Sequence, residues 1–308
     1  MHDIDHKQNA DDATRSIDLD AGRRAFIRSV GLGAAGAAIL AGGVLTQDTA
    51  KADHRPEHRP IDADILNFAL NLEYLEAEYY LRAAFGRGLA ASDTTGTGNR
   101  GEVIGGRKVD FKTLAFREYA EEIANDEEAH VKFLRSALGG ARVARPALDL
   151  RNSFTRAAAA AGLIRPGQRF DPYANENNFL LGAFIFEDVG VTAYKGAAKL
   201  IDNENILEAA AGLLAVEAYH AGIVRTVLFS LGLFREAGAI SGARDSLDGG
   251  EDLDQGIDTR SGANLVPTDR NGLAFSRNPE QVRNIVYLGG AENKFGFFPN
   301  RLNGYYRD

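Results

Sequence analysis

The chain has 308 residues, a net charge of −8 at pH 7 and no cysteine. This length permits one large domain with a sizeable core, and the lack of cysteine excludes a disulfide framework and a thiolate metal site. An acidic balance without a basic stripe argues against nucleic acid as a partner. The single methionine is Met1, and tryptophan is absent. Such a composition fits either adaptation to oxidants, which attack cysteine and methionine first, or compositional drift.

The N-terminal 52 residues resemble a twin-arginine export signal. An Arg-Arg pair at residues 23–24 precedes an apolar, glycine- and alanine-rich run over residues 30–45, and Ala-Lys-Ala follows at residues 50–52. The run is shorter than the roughly 20 apolar residues that a membrane-spanning helix needs. We therefore expect cleavage after Ala52 and a periplasmic or secreted protein without a stable membrane span. An uncleaved anchor is the alternative, and a charged, proline-rich linker follows over residues 53–61.

The rest of the chain predicts four long helices, each with apolar residues at three- and four-residue steps on one face. In chain order they span residues 62–85, 112–138, 176–201 and 204–231. A glycine-rich loop over residues 86–110, long for a bundle connection, separates the first two. A crossover with a short helix near residues 153–161 joins the second to the third. These elements predict an all-α domain over residues 62–234, a four-helix bundle with a long crossover.

Residues 235–308 are predicted to form an irregular extension with one short helix. The stretch 235–277 is rich in glycine and aspartate. Asn278 then has the character of a helix cap, with Pro279 at the first helical position and Gln281 three residues after the cap. The aromatic end of the chain, FGFFPNRLNGYY, indicates that the extension packs on the bundle.

Each half of the bundle carries the same ordered set of polar residues. The second and fourth helices each contain a Glu-x-x-His motif, and the first and third each contain a glutamate followed seven residues later by a tyrosine. In chain order these residues are Glu73 and Tyr80, Glu127 and His130, Glu187 and Tyr194, and Glu217 and His220. Residues i and i+3 share one helix face, so each Glu-x-x-His directs a carboxylate and an imidazole to the same point.

The four glutamates and two histidines are the ligand set of a dinuclear metal site, in which carboxylates bridge two cations and each cation has one imidazole. A single Glu-x-x-His is common on helix surfaces, but the folded body contains no histidine outside the two motifs. Buried carboxylates without partners are costly, and a pair of divalent metals compensates for them. The set suits two Fe or two Mn ions, which react with O₂ or H₂O₂; zinc would give a structural or hydrolytic site.

The order of these motifs over residues 62–232 resembles the ferritin-like superfamily, which includes ferritins, rubrerythrins and manganese catalases. The C-terminal segments PEQVRNIVYLG and FFPNRLNG are similar to the signature of the desiccation-related ferritin-like proteins of resurrection plants and their bacterial relatives. The resemblance implies a ferritin-like bundle and a role in stress protection. It also implies that Asp126 orients His220 on the opposite helix, with a solvated carboxylate as the alternative.

The leading hypothesis is an exported dimetal oxidoreductase that oxidises Fe(II) with O₂ or peroxide, or disproportionates H₂O₂. Tyr80 and Tyr194 are its candidate catalytic residues, with hydrogen bonds to the ligand glutamates or plain core packing as other roles. Glu76 and Asp188 are considered as extra ligands but not assigned. A non-enzymatic stress protectant with a structural or vestigial metal site is the alternative. Iron storage requires a hollow shell, which the long loop and tail disfavour, and a homo-oligomer is left open.

Overall fold

The computed structural model describes residues 62–260 and 262–308, so the expected signal and linker lie outside the described residues. Seven α-helices account for most of these residues. They are α1 (Asp62–Phe85), α2 (Leu114–Leu138), α3 (Asn152–Ala160), α4 (Glu176–Ala198), α5 (Glu204–Ser230), α6 (Phe234–Asp245) and α7 (Pro279–Val286). Strand structure is confined in this part of the chain to two-residue pieces, so the predicted all-α class is confirmed.

The bundle consists of two helix pairs, α1 with α2 and α4 with α5, which meet through contacts of α1 with α4 and of α2 with α5. Helices α1 and α2 end at glycines that adopt positive φ, +72° at Gly86 and +52° at Gly139, a backbone conformation that favours glycine. Helices α4 and α5 begin at asparagine caps, where the side chains of Asn175 and Asn203 accept backbone hydrogen bonds from the first turn. Their bounds agree with the predicted ones to within a few residues.

Helix α1 is buried on all sides, because the 86–110 loop lies against its outer face. This loop contains β1 (Val103–Ile104), which pairs in parallel with β2 (Leu148–Asp149) of the crossover. On the covered side of α1, the buried Glu78 carboxylate forms ion pairs with Arg82 and with Arg145 from the crossover. The long loop therefore closes the bundle rather than projecting from it.

Helix α4 is covered in the same way by the C-terminal extension. The backbone N–H of Arg277 donates a hydrogen bond to Thr192 O at 2.9 Å, and a Cβ at Gly196 would lie 1.9 Å from Arg277 O, so only glycine permits this approach. Phe297 is fully buried, with its ring centroid 4.9 Å from that of Phe186. The predicted packing of the aromatic tail on the bundle is thus seen directly.

The extension contains more regular structure than the sequence predicts. Helix α6 forms where irregular chain was expected, and β3 (Asp258–Thr259) pairs antiparallel with β4 (Gly262–Ala263). Helix α7 begins as predicted, with reciprocal hydrogen bonds between Asn278 and Gln281 forming a capping box. Leu231, the last residue of the predicted fourth helix, is 39% exposed because α5 ends one residue earlier.

Helix α5 is long and apolar enough to cross a membrane by length and composition alone. The same helix buries Glu217, His220 and Arg225 and packs along α4. Core helices of water-soluble bundles meet the same criterion, so these polar side chains identify α5 as a helix of the bundle.

Candidate metal centre

The Glu-x-x-His motif of α2 meets carboxylates from α1 and α5 in the middle of the bundle. Ligand atoms of Glu73, Glu127, His130 and Glu217 all lie within 4.8 Å of one another. His130 Nδ1 is 3.2 Å from Glu73 Oε2, 3.6 Å from Glu127 Oε2 and 3.7 Å from Glu217 Oε1. One imidazole nitrogen therefore faces carboxylates from three different helices.

The motif of α5 forms the second half of the cluster. His220 Nδ1 lies 3.0 Å from Glu127 Oε1 and 3.7 Å from Glu187 Oε2. The two imidazole rings are 6.2 Å apart between centroids. Glu127 thus presents one oxygen to each histidine, which is the position of a carboxylate that bridges two cations. All six predicted ligand side chains come together, while their assignment as metal ligands stays a prediction.

The cluster is deeply buried and its hydrogen bonding is incomplete. Each of the six residues is at most 7% exposed. Within residues 62–260 and 262–308, every one keeps at least one buried ligand atom without a hydrogen-bond partner. These atoms are both carboxylate oxygens of Glu127 and Glu217, Oε2 of Glu73 and Glu187, and Nδ1 of His130 and His220. Leaving so many polar atoms unsatisfied at one point is costly, and two cations with oxygen and imidazole ligands would satisfy them.

Two tyrosines position Glu73 and Glu187 through hydrogen bonds between α1 and α4. The Tyr80 hydroxyl on α1 donates to Glu187 Oε1 on α4, and the Tyr194 hydroxyl on α4 donates to Glu73 Oε1 on α1. Each hydroxyl occupies one carboxylate oxygen and leaves Oε2 free to face the centre. The tyrosines therefore position the glutamates, a more specific role than core packing.

Asp126 makes the contact with His220 that the family resemblance implies. Its Oδ2 lies 3.1 Å from His220 Nε2. A proton on Nε2 would be donated to this carboxylate, leaving the Nδ1 lone pair directed at Glu127 and Glu187. Val216 occupies the matching position in the second half of the chain and offers no carboxylate to His130. The two imidazoles thus have different surroundings.

Burial is the largest influence on the pKa values of Glu73, Glu187 and Glu217. It raises the pKa of Glu73 to about 7 and that of Glu187 to about 8, from an ordinary value of 4.5, against the opposing charges of the nearby histidines. Burial likewise raises the pKa of Glu217 well above its usual value, and the negative charge of Glu76 adds to this effect. These carboxyl groups hold protons that a divalent cation would displace.

Glu127 behaves differently because it lies between the two histidines. Burial alone would raise its pKa, but the two histidines, whose Nδ1 atoms lie 3.6 and 3.0 Å from its oxygens, hold it well below the ordinary value. Burial lowers the pKa of each histidine, and the surrounding carboxylates outweigh it, raising the pKa of His130 to about 11 and that of His220 to about 10.

A family model described as the ferritin-like domain matches residues 61–230, more than half of the chain. The chain belongs to the ferritin-like family. It is 33% identical over 241 residues to the desiccation-related protein PCC13-62 of Craterostigma plantagineum, covering 71% of this chain and 75% of that protein. It is 26% identical over 266 residues to the ferritin-like catalase Nec2 of Nesocodon mauritianus, covering 79% of this chain and 84% of that protein. Comparison with solved structures gave no significant match.

Of the two extra ligands considered for this ferritin-like protein, Asp188 is paired with arginine side chains. Its Oδ2 accepts hydrogen bonds from Arg225 at 2.7 Å and from Arg244 at 2.8 Å, which anchors α5 and α6 to α4. Glu76 instead lies near the centre: its Oε1 is 3.6 Å from the position that a Cβ would take at Gly190, and Glu217 Oε2 is 2.0 Å from the same position. Asp188 is therefore a structural residue, and Glu76 remains a candidate.

Gly190 is a residue of the centre that sequence reasoning missed. A Cβ at this position would lie 2.0 Å from Glu217 Oε2, so any other residue would displace that carboxylate. The sequence carries a signal for it, because Gly190 follows Glu187 by three residues on the ligand face of the helix. A glycine among ligand positions marks a place where another group approaches the backbone closely.

Proposed function

We propose that this ferritin-like protein is an exported dimetal oxidoreductase whose principal reaction is the disproportionation of H₂O₂. The observation that carries the proposal is the buried set of unpartnered oxygen and nitrogen atoms from Glu73, Glu127, Glu187, Glu217 and both motif histidines. The name of one relative, a ferritin-like catalase, supports peroxide as the substrate, and the name of the other supports a setting of desiccation stress.

Two Fe or two Mn ions, when bound, would supply redox chemistry with O₂ or H₂O₂. His130 with Glu73 would hold one ion and His220 with Glu187 the other, while Glu127 has an oxygen facing each histidine. The protein's own contribution is to orient these ligands, through the tyrosine hydroxyls and Asp126, and to keep bulk water out of the bundle.

Disproportionation suits a protein that works outside the cytoplasm. Two molecules of H₂O₂ give two of water and one of O₂, with one peroxide oxidised and the other reduced, so neither a reductase nor a cofactor supply is needed. The burial of the centre, with all six ligands at most 7% exposed, favours a substrate as small as peroxide. Fe(II) oxidation would use the same ligands but requires a supply of Fe(II).

The expected twin-arginine signal supports export of the folded protein, which would allow metal to be loaded before export. Cleavage after Ala52 would leave a chain without cysteine, methionine or tryptophan. A protein exposed to peroxide gains from lacking cysteine and methionine, since both are readily oxidised. Export and oxidant exposure are thus consistent parts of one proposal.

The test is metal content per chain, by inductively coupled plasma mass spectrometry on protein from its native compartment, with H₂O₂ and Fe(II) turnover measured on the same sample. We expect two Fe or Mn per chain and release of O₂ from H₂O₂. Two Fe per chain, with Fe(II) oxidation and no O₂ release, would mean that the protein is a ferroxidase and does not disproportionate H₂O₂. Protein without stoichiometric metal or turnover would favour the structural protectant.

Two variants test whether the motif residues hold the metals. His220→Ala and Glu127→Ala should each lose at least one metal, because each removes a predicted ligand. Glu122→Gln is the matched control, since this glutamate lies on the exposed face of α2. If both ligand variants retain two metals per chain, the site assignment is wrong.

A further inference from the structure

The two tyrosines that donate hydrogen bonds to the predicted ligand glutamates differ in what lies behind them. The residue before Tyr80 is Tyr79, whereas the residue before Tyr194 is Ala193. The ring of Tyr80 packs against two other aromatic rings, while that of Tyr194 contacts none in the described part of the chain. Only the first half of the bundle therefore continues from the metal centre into an aromatic stack.

A continuous row of three tyrosine rings leads away from the centre. The ring centroid of Tyr79 lies 5.3 Å from that of Tyr80 and 5.4 Å from that of Tyr173, distances at which aromatic rings are in contact. Tyr79 and Tyr80 are fully buried, and Tyr173 is 3% exposed. The inner end of the row is joined to the centre by the hydrogen bond from Tyr80 to Glu187. A phenol side chain can lose and regain one electron, so this tyrosine row connects the centre electronically with Tyr173.

The outer end of the tyrosine row borders a cleft of about 240 Å³ between the 86–110 loop and the crossover. Tyr173 lines this cleft together with Arg107, Arg151 and Arg169. Asp171 pairs with Arg107 at 2.6 Å, and the other two guanidinium groups form no ion pair within residues 62–260 and 262–308. The cleft is thus cationic, on a chain whose net charge is −8.

The lining of the cleft indicates the kind of molecule that would bind there. Guanidinium groups bind carboxylates through paired hydrogen bonds, and Leu150, Phe170 and Pro172 supply apolar walls. The volume exceeds the roughly 150 Å³ of an engineered protein cavity that accommodates benzene. A single aromatic ring that carries a carboxylate therefore matches both the size and the charge of the cleft.

We propose that the protein also uses H₂O₂ to oxidise phenolic acids bound in this cleft, with the tyrosine row carrying their electrons to the centre. This activity rests on the proposed dimetal function. Two phenolic acid molecules each lose one electron to the row and their hydroxyl proton to water in the cleft, and become phenoxyl radicals. One H₂O₂ takes up the two electrons and, from water, two protons; its O–O bond breaks and two water molecules form.

The burial of the centre explains why a row of side chains is needed. All six predicted ligands are at most 7% exposed, so a molecule as large as a phenolic acid cannot contact them. An electron can pass through packed rings that exclude the molecule supplying it. Peroxide, being small, enters the bundle, while the larger donor stays at the surface.

The cleft is tested by calorimetric titration of the metal-free full chain with 4-hydroxybenzoate, so that turnover plays no part. The methyl ester of this acid lacks the charge and should bind about tenfold more weakly. Arg151→Ala and Arg169→Ala should each weaken binding of the acid by a similar factor. Arg235→Ala, which removes an exposed arginine outside the cleft, is the control and should match the parent protein. Equal binding of acid and ester, or no binding of either, would overturn the assignment of the cleft.

The tyrosine row is tested on metal-loaded protein by oxidation of 4-hydroxybenzoate, by O₂ release, and by electron paramagnetic resonance after addition of H₂O₂. The parent protein should show a tyrosyl radical that disappears when the acid is added. Tyr173→Phe keeps the ring but removes the phenol at the outer end of the row. It should lose most of the acid oxidation, retain its radical in the presence of the acid, and release O₂ as the parent does. Tyr119→Phe, outside the row, is the control.

The outcomes separate this proposal from the one on which it rests. Parent protein that releases O₂ but does not oxidise the acid would overturn the second activity and leave disproportionation intact. Acid oxidation that Tyr173→Phe does not reduce would overturn the role of the tyrosine row. Parent protein that binds no metal and turns over no H₂O₂ would overturn both activities. Circular dichroism of each variant verifies that it is folded.

Discussion

The metal-free protein should lose stability as the pH rises from about 5 to about 8. Burial raises the pKa of Glu73 to about 7 and that of Glu187 to about 8. A carboxyl group whose pKa is raised by folding binds its proton more tightly in the folded state. Its contribution to stability is complete below the unfolded value of 4.5 and is lost as the pH rises through the folded value.

The size of the effect follows from the same values. Moving the pKa of Glu73 from 4.5 to about 7 corresponds to a loss of roughly 3 kcal/mol once the carboxyl group ionises. Glu187 adds a loss of the same order. Glu127 does not oppose this within the window, because the histidines lower its pKa and its contribution is already complete above 4.5. His130 and His220, whose pKa values are raised from 6.5 to about 11 and about 10, begin to lose their contributions above pH 6.5 and so add to the fall at the upper end of this window.

The assay is thermal unfolding in the presence of a chelator across this pH range. For a domain of this size, a combined loss of about 6 kcal/mol from Glu73 and Glu187 lowers Tm by roughly 12–24 °C. Glu73→Gln, which cannot ionise, should remove the part of the fall that comes from Glu73. Metal-loaded protein should not show the fall, because bound cations stabilise the ionised carboxylates. A metal-free Tm that stays constant or rises between about pH 5 and about pH 8 would refute this account of the centre.

Three substitutions test other parts of the structure. Tyr194→Phe should keep both metals, because the hydroxyl positions a glutamate and does not bind metal itself; metal loss, measured by mass spectrometry, would make the tyrosine a ligand or an essential support. Asp126→Asn should weaken metal binding at His220 by about 10- to 100-fold. Unchanged Mn(II) affinity in calorimetry would show that Asp126 does not orient His220 for metal binding. Arg277→Ala should cost roughly 3–5 kcal/mol in urea unfolding, since it leaves two buried aspartates without this partner. Arg235→Ala, at an exposed pair, should change stability by no more than about 0.5 kcal/mol, and equal effects of the two arginine substitutions would contradict the burial argument.

The bundle could be predicted from sequence because its signals are local. Apolar residues recur at helical spacing, and glycines such as Gly86 and Gly139 stand where the helices end. The convergence of the six predicted ligands could be foreseen for the same reason, since the spacing within Glu-x-x-His already places both side chains on one face. Four such faces in one bundle have only its centre in which to bury their carboxylates.

The extension could not be predicted in this way because its order depends on distant partners. Helix α6 contains Gly238 and Gly242, and interior glycines weaken a helix by roughly 1 kcal/mol each. The helix forms because its residue Arg244 is buried against α4, where it bonds to Asp188, and reaches Asp254 in the following loop. The contact with Asp188 joins residues that are far apart in sequence, so no local sequence pattern predicts it.

Alignment of the two halves shows how the centre departs from symmetry. The ligands and the crossed tyrosine bonds repeat, but Asp126 is matched by Val216 and Glu76 by Gly190. Both extra carboxylates belong to the first half and face the second: Asp126 lies 3.1 Å from His220, and Glu76 Oε1 lies 3.6 Å from the position that a Cβ would take at Gly190. A symmetric ligand set would give two equivalent metals, whereas these additions place unequal charge around them. We therefore expect the two metals to differ in affinity, and stepwise Mn(II) binding in calorimetry is the corresponding observation.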